Sequence, residues 1–190
     1  MACLYLGRTD ELANLPLGDV SVKAFVDACV GRTAEAEKTV TNFLAGVRLS
    51  TMADADIVPV QTLLMAAALE LGNQEAAVRL SASLEGGPFI HCANLVTCPG
   101  RLRATTAALM GERAKARELY EATLQVTQRL GHRPETALTR LGLAELLLDG
   151  TAEERGEAQG HLEFAIEEFR AMKMQPSLER ALRHKGLLHA

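Results

Sequence analysis

Apolar residues recur along this chain at three- and four-residue spacings, in segments several helical turns long. Residues 112–130 put Ala116, Leu119, Tyr120, Thr123, Leu124, Val126, Thr127 and Leu130 mostly on one stripe. Glu112, Lys115, Glu118, Glu121, Gln125 and Arg129 fall mostly on the other side. That is the pattern of an amphipathic helix with one face turned to a core. Residues 157–172 repeat it, with Leu162, Ala165, Ile166 and Phe169 inside. Residues 59–71 are apolar nearly all round, as expected of a helix with neighbours on every side. No stretch alternates with period two between turn signals, so no sheet is predicted.

The punctuation between these segments repeats. A glycine followed five positions later by an alanine occurs as Gly31…Ala36, Gly72…Ala77 and Gly111…Ala116. Each glycine follows an apolar stretch and each alanine opens another. The alanines are 41 and 39 residues apart, and Ala158 continues the series 42 residues on. There the short link becomes the longer Asp149-Gly-Thr-Ala-Glu-Glu-Arg-Gly156. The physical reading is a helix hairpin. The first helix stops where glycine takes a left-handed conformation without a Cβ penalty. The second packs back, and alanine lets the two backbones approach. The spacing predicts helix pairs at about 20–30 with 33–48, 57–71 with 74–84, 99–110 with 112–130, and 135–148 with 154–172. Two short helices are expected before Leu15, divided by a turn at Gly7, and a last helix at about 177–188, opened by Pro176-Ser177. Gly86-Gly87-Pro88 is the clearest breaker. The expected fold class is all-α, one domain over 1–190, with repeats at about 19–48, 57–85, 99–130 and 134–173 and a cap at 176–189.

The Gly-x4-Ala hairpin resembles a tetratricopeptide repeat, whose turn glycine and second-helix alanine have this spacing. In the third unit Ala104 and Ala107 match the small positions of the first helix, and Tyr120 matches the aromatic position of the second. The repeat here is about 40 residues rather than 34, and the large aromatic residue near the start of the first helix is missing. The resemblance implies an α-α superhelix of about four hairpins with a capping helix. Over about residues 100–190, the runs from Arg133 to Leu148 and from Leu162 to Lys185 resemble the C-terminal region of a bacterial signalling family. Those proteins carry a nucleotide cyclase or DNA-binding domain, then an AAA-type ATPase domain, then tetratricopeptide-like repeats. The opening Cys-Leu-Tyr-Leu-Gly7-Arg-Thr-Asp-Glu-Leu12 reads as a hairpin entered midway, which suggests a fragment or shortened relative of a longer protein.

In such an array the first helix of each pair lines the concave surface, where peptides are held. That register puts Arg101, Thr105 and Arg140 on the groove, with Ser21, Phe25, Thr62 and Ala66 further along it. Arg101, Thr105, Arg140, Phe25 and Thr62 are therefore the candidate binding residues. Arg101, Arg103, Arg140, Arg180, Arg183 and Lys185 are expected to cluster if the last hairpins stack.

Composition narrows the function classes. The chain of 190 residues is 48% hydrophobic and 23% charged, which are globular values. A net charge of −4 argues against a generally basic nucleic-acid surface. Charge is uneven: residues 1–99 hold 6 Lys/Arg and 11 Asp/Glu, while residues 100–190 hold 14 and 13. No apolar run is long enough for a membrane helix. No basic segment precedes a long apolar stretch at the start, so no secretion signal and a cytoplasmic location are expected. Cys3, Cys29, Cys92 and Cys98 form no Cys-x-x-Cys pair, and with His91 they fit no zinc spacing, so buried or half-buried thiols are expected and no metal or other cofactor.

Catalytic chemistry finds no constellation. His91, His132, His161, His184 and His189 are scattered and read as surface or cap residues. Glu153-Glu154 and Glu167-Glu168 are adjacent pairs, which do not face one another on a helix. No Gly-x4-Gly-Lys-Ser/Thr phosphate loop occurs, so no ATPase chemistry is implied. The expectation is a non-enzymatic module that binds a peptide or partner domain, such as the ATPase or cyclase part of a parent chain. An effector-sensing domain that holds a small molecule is the alternative. An apolar end at residues 1–15 also raises a homodimer as an expectation.

Overall fold

The structure is a computed structural model that describes residues 5–6, 8, 11, 19–46, 57–92 and 96–188. Among these it is all-α apart from one minimal ribbon. The helices are α1 (Val20–Cys29), α2 (Thr33–Gly46), α3 (Val58–Glu70), α4 (Gln74–Ser83), α5 (Pro99–Leu109), α6 (Arg113–Arg129), α7 (Arg133–Leu148), α8 (Ala152–Met172) and α9 (Gln175–Leu188). The expectation of no sheet needs a small correction: β1 (His91–Cys92) pairs antiparallel with β2 (Val96–Thr97). This ribbon lies between the breaker Gly86-Gly87-Pro88 and Pro99, which opens the next helix, and its two strands bond to each other. The short helices expected before Leu15 fall largely outside the described residues.

Local chemistry explains the helix ends. Gly31, Gly72 and Gly111 have φ of +82°, +69° and +75°. Behind each, the following amide donates to a carbonyl five residues back: Arg32 to Asp27, Asn73 to Ala68, and Glu112 to Ala107, at 2.8–2.9 Å. This is the left-handed helix stop that satisfies orphan carbonyls. Starts are capped by Asp19, whose carboxylate accepts from the amides of Ser21 and Val22, and by Asn73, which accepts from Ala76. Pro59, Pro99 and Pro134 sit in first turns, where a missing N–H costs nothing. The eighth helix begins at Ala152, two residues before the expected start. Thr151 and Glu154 form a reciprocal capping box there, a Thr-x-x-Glu signal legible in the sequence.

The helices pack as hairpins, α1 on α2, α3 on α4, α5 on α6 and α7 on α8. Each first helix also touches the first helix of the next pair, from α1 through α3, α5 and α7 to α9. The four alanines of the repeated motif, Ala36, Ala77, Ala116 and Ala158, are all buried, as close backbone approach requires. Gln61 through Ala68 of α3 are buried without interruption, which accounts for the all-round apolar stretch. One core gathers Val40, Leu64, Met65 and Leu80, and a second gathers Tyr120, Leu141, Leu162 and Phe169. Burying one such side chain contributes about 1.5–3 kcal/mol. The last helix, α9, packs on α8 and α7 and buries Ala181. Among the described residues no helix is long and apolar enough to cross a membrane.

Candidate binding cavity

The first helices of the pairs enclose a cavity of about 360 Å³. Its lining comes from Phe25 of α1, Thr62, Ala66 and Leu69 of α3, Arg101, Thr105 and Leu109 of α5, Glu135, Leu138 and Glu145 of α7, and Arg180 of α9. Four of the five candidate residues, Phe25, Thr62, Arg101 and Thr105, meet here although the chain separates them by up to 80 positions. Arg140 does not. Its register position is on α7, but its guanidinium lies 4.2 Å above the Phe164 ring of α8, and Nη1 is 3.3 Å from Nδ1 of His161. The expectation that Arg140 faces the cavity is thus corrected. Leu138, Leu141 and Gly142 face the cavity, and Arg140 sits on the α8 side of the same helix, where an aromatic face attracts its cation. The expected basic cluster does not assemble either. Arg180 joins Arg101 at the cavity, while Arg103 lines a different recess with Glu85 and Lys115, between α4, α5 and α6.

The polar groups of the cavity are largely engaged with one another. Nε of Arg101 donates to Oε2 of Glu135 at 2.6 Å, and Nη2 donates to Oε1 at 3.3 Å. Glu135 is 1% exposed and Arg101 20% exposed at the side chain. Burial by itself raises the Glu135 carboxyl pKa. The Arg101 charge and hydrogen bonds outweigh it and hold the carboxyl below the usual range. Oη of Tyr5 donates to the same carboxylate at 2.6 Å. At the other end Arg180 donates twice to Glu145, at 2.6 Å each, and Nε2 of His184 stands 2.8 Å from the same group. The threonine hydroxyls turn back on their own helices. Thr62 donates to the carbonyl of Val58 at 2.6 Å, and Thr105 to that of Arg101 at 3.1 Å, with the Tyr120 hydroxyl 3.0 Å away. Apolar surface, the two ion pairs and the carboxylate of Glu70 thus face the space, with the pairs at Glu135 and Glu145 ten positions apart along α7.

Glu135 and Glu145 were not legible as cavity residues from the sequence, nor was the contact of Tyr5 with Glu135. A signal for Glu135 existed in its position relative to Arg101, since the two oppositely charged residues each stand third in adjacent first helices.

The thiols are where burial puts them. Cys98 is buried and Cys29 half-buried, both free, and burial pushes each pKa up to about 12. That makes them poor nucleophiles at neutral pH. Among the described residues no group of three or more His, Cys, Asp or Glu side chains is placed to hold a metal ion. His132 caps α7 through Nδ1, which accepts from the amide of Glu135 at 3.3 Å. No protein-family model and no curated protein sequence matches this chain.

Proposed function

We propose that this protein is a non-catalytic interaction module, a tetratricopeptide-like superhelix that holds a peptide or partner domain in the groove made by its first helices. The observation that carries the reading is the cavity itself, lined by the first helix of every pair and by α9. A partner helix or extended segment would lay apolar side chains against Phe25, Leu69, Leu109 and Leu138, with the two ion pairs setting its register. Leu109 is 51% exposed, an apolar contact left open to water at the rim. The resemblance of residues 100–190 to the end of multidomain signalling proteins supports an ATPase, cyclase or DNA-binding domain as the partner.

The test is selection from a displayed random-peptide library with the full chain as bait. Peptides that bind should lose affinity with Leu109→Glu, which puts a charge at the rim without disturbing the core. They should keep it with Arg140→Ala, which lies on the other side of α7. No enrichment, or binding indifferent to Leu109→Glu, rejects the reading.

A second reading is a small-molecule effector site, favoured by a cavity volume inside the range of ligand pockets. It predicts a rise in Tm with a metabolite through linkage of binding to unfolding. A broad panel without any shift counts against it.

A further inference from the structure

We propose that the Glu135 end of the groove is a receptor for an unmodified tyrosine side chain. Tyr5 is its built-in occupant, and a partner enters by presenting a tyrosine between apolar residues and displacing it. This rests on the groove-binding reading and names the chemistry of the partner.

The contact joins residues 130 positions apart. Oη of Tyr5 donates to Oε1 of Glu135 at 2.6 Å, and the ring packs against the C-terminal core. Arg101 donates to both oxygens of Glu135, so the carboxylate is ionised and accepts only. An acceptor that is almost wholly buried calls for a donor of fixed reach, and a phenol at the end of a rigid ring supplies one. Burial, then the neighbouring carboxylate, raises the Tyr5 pKa, which keeps that proton in place. A phosphorylated tyrosine has no such donor and brings further negative charge against an ionised carboxylate. A phenylalanine leaves the Glu135 oxygen one hydrogen bond short. The site therefore discriminates the free phenol from both. Tyr5 stands between Leu4 and Leu6 in the sequence, and beside Glu135 the cavity offers Leu138 and Leu141. As a tethered occupant, Tyr5 lowers the apparent affinity of any competing segment by the fraction of time that it fills the site.

The test uses the full-length chain and a labelled synthetic peptide with the sequence of residues 1–12, read by fluorescence anisotropy. The Tyr5→Ala protein, checked for unchanged helicity by circular dichroism, is expected to bind the peptide about tenfold more tightly than wild type. A peptide with phenylalanine for tyrosine should bind it about fivefold more weakly, and a phosphotyrosine peptide should not bind. If Tyr5→Ala disturbs folding, Tyr5→Phe keeps the ring and removes only the hydroxyl, and it should still bind the peptide more tightly than wild type. Equal affinity of the variant and wild-type proteins overturns the proposal. So does equal affinity of the tyrosine and phenylalanine peptides, or no binding of the peptide to the variants. Library peptides that lack tyrosine yet depend on Leu109 would overturn it while leaving the groove reading intact.

Discussion

Arg101 and Glu135 stand 34 positions apart, on α5 and α7, and their side chains meet at 2.6 Å with the carboxylate almost wholly buried. Each partner makes the burial of the other tolerable. Removing one side leaves an uncompensated charge, so Glu135→Gln should cost about 3 kcal/mol of stability. Replacing both, as Arg101→Met with Glu135→Leu, should recover most of that loss. Chemical denaturation of the single and double variants measures both effects. The Glu135 carboxyl has a folded pKa below its unfolded value, so its contribution is present above about pH 4.5 and is lost as pH falls through the folded value. The acid limb of wild-type stability should flatten in the double variant.

His161 gives a second, milder pH dependence. Burial, then the charge of Arg140, lowers its pKa from the ordinary 6.5, against a smaller pull from Glu157. Arg117 adds to the lowering. A histidine of depressed folded pKa binds fewer protons folded than unfolded, so stability falls as pH drops below about 6.5. Urea unfolding at pH about 7.5 and about 5.5 should show this loss in wild type and a smaller one in His161→Gln. An identical loss in both proteins would assign the dependence elsewhere.

Gly142 is a close-approach position on α7. A Cβ built there would stand 2.7 Å from Oη of Tyr120, and the Tyr120 hydroxyl is itself 3.0 Å from Thr105. Alanine in a helix ordinarily gains up to about 1 kcal/mol over glycine. Here the clash with a buried, hydrogen-bonded ring should reverse the sign, and Gly142→Ala should lose about 1–3 kcal/mol. A double-mutant cycle with Tyr120→Leu should show the penalty shrinking, since the shorter side chain leaves room.

Arg103 is 8% exposed, and its Nε has no hydrogen-bond partner. Burial, only partly offset by Glu85, pulls its pKa down, so the charged form is disfavoured where it lies. Arg103→Met keeps the length of the stem and removes the unmet donor. Thermal unfolding should show a Tm higher by a few degrees, corresponding to about 1 kcal/mol. A lower Tm would mean that its attraction to Glu85 outweighs the burial cost.

The sequence by itself determined the elements and their pairing. Left-handed stops at Gly31, Gly72 and Gly111 and buried alanines at Ala36, Ala77, Ala116 and Ala158 follow from local chemistry and from 3.6-residue periodicity, both written within a few residues. The lines of first helices that bring Phe25, Thr62, Arg101 and Thr105 together follow from the same repeat. What only the tertiary structure decided is which way each long side chain turns and what it meets. Arg140 shares a helix with Glu135, but an aromatic ring on α8 draws it away from the cavity. Arg103, two residues after Arg101, points to the other side of α5, because successive helical positions differ by about 100°. Tyr5 and Glu135 carry no local signal of each other across 130 residues. Their meeting depends on how the packed helices fold the chain back, and a long-range contact of that kind has no period to read.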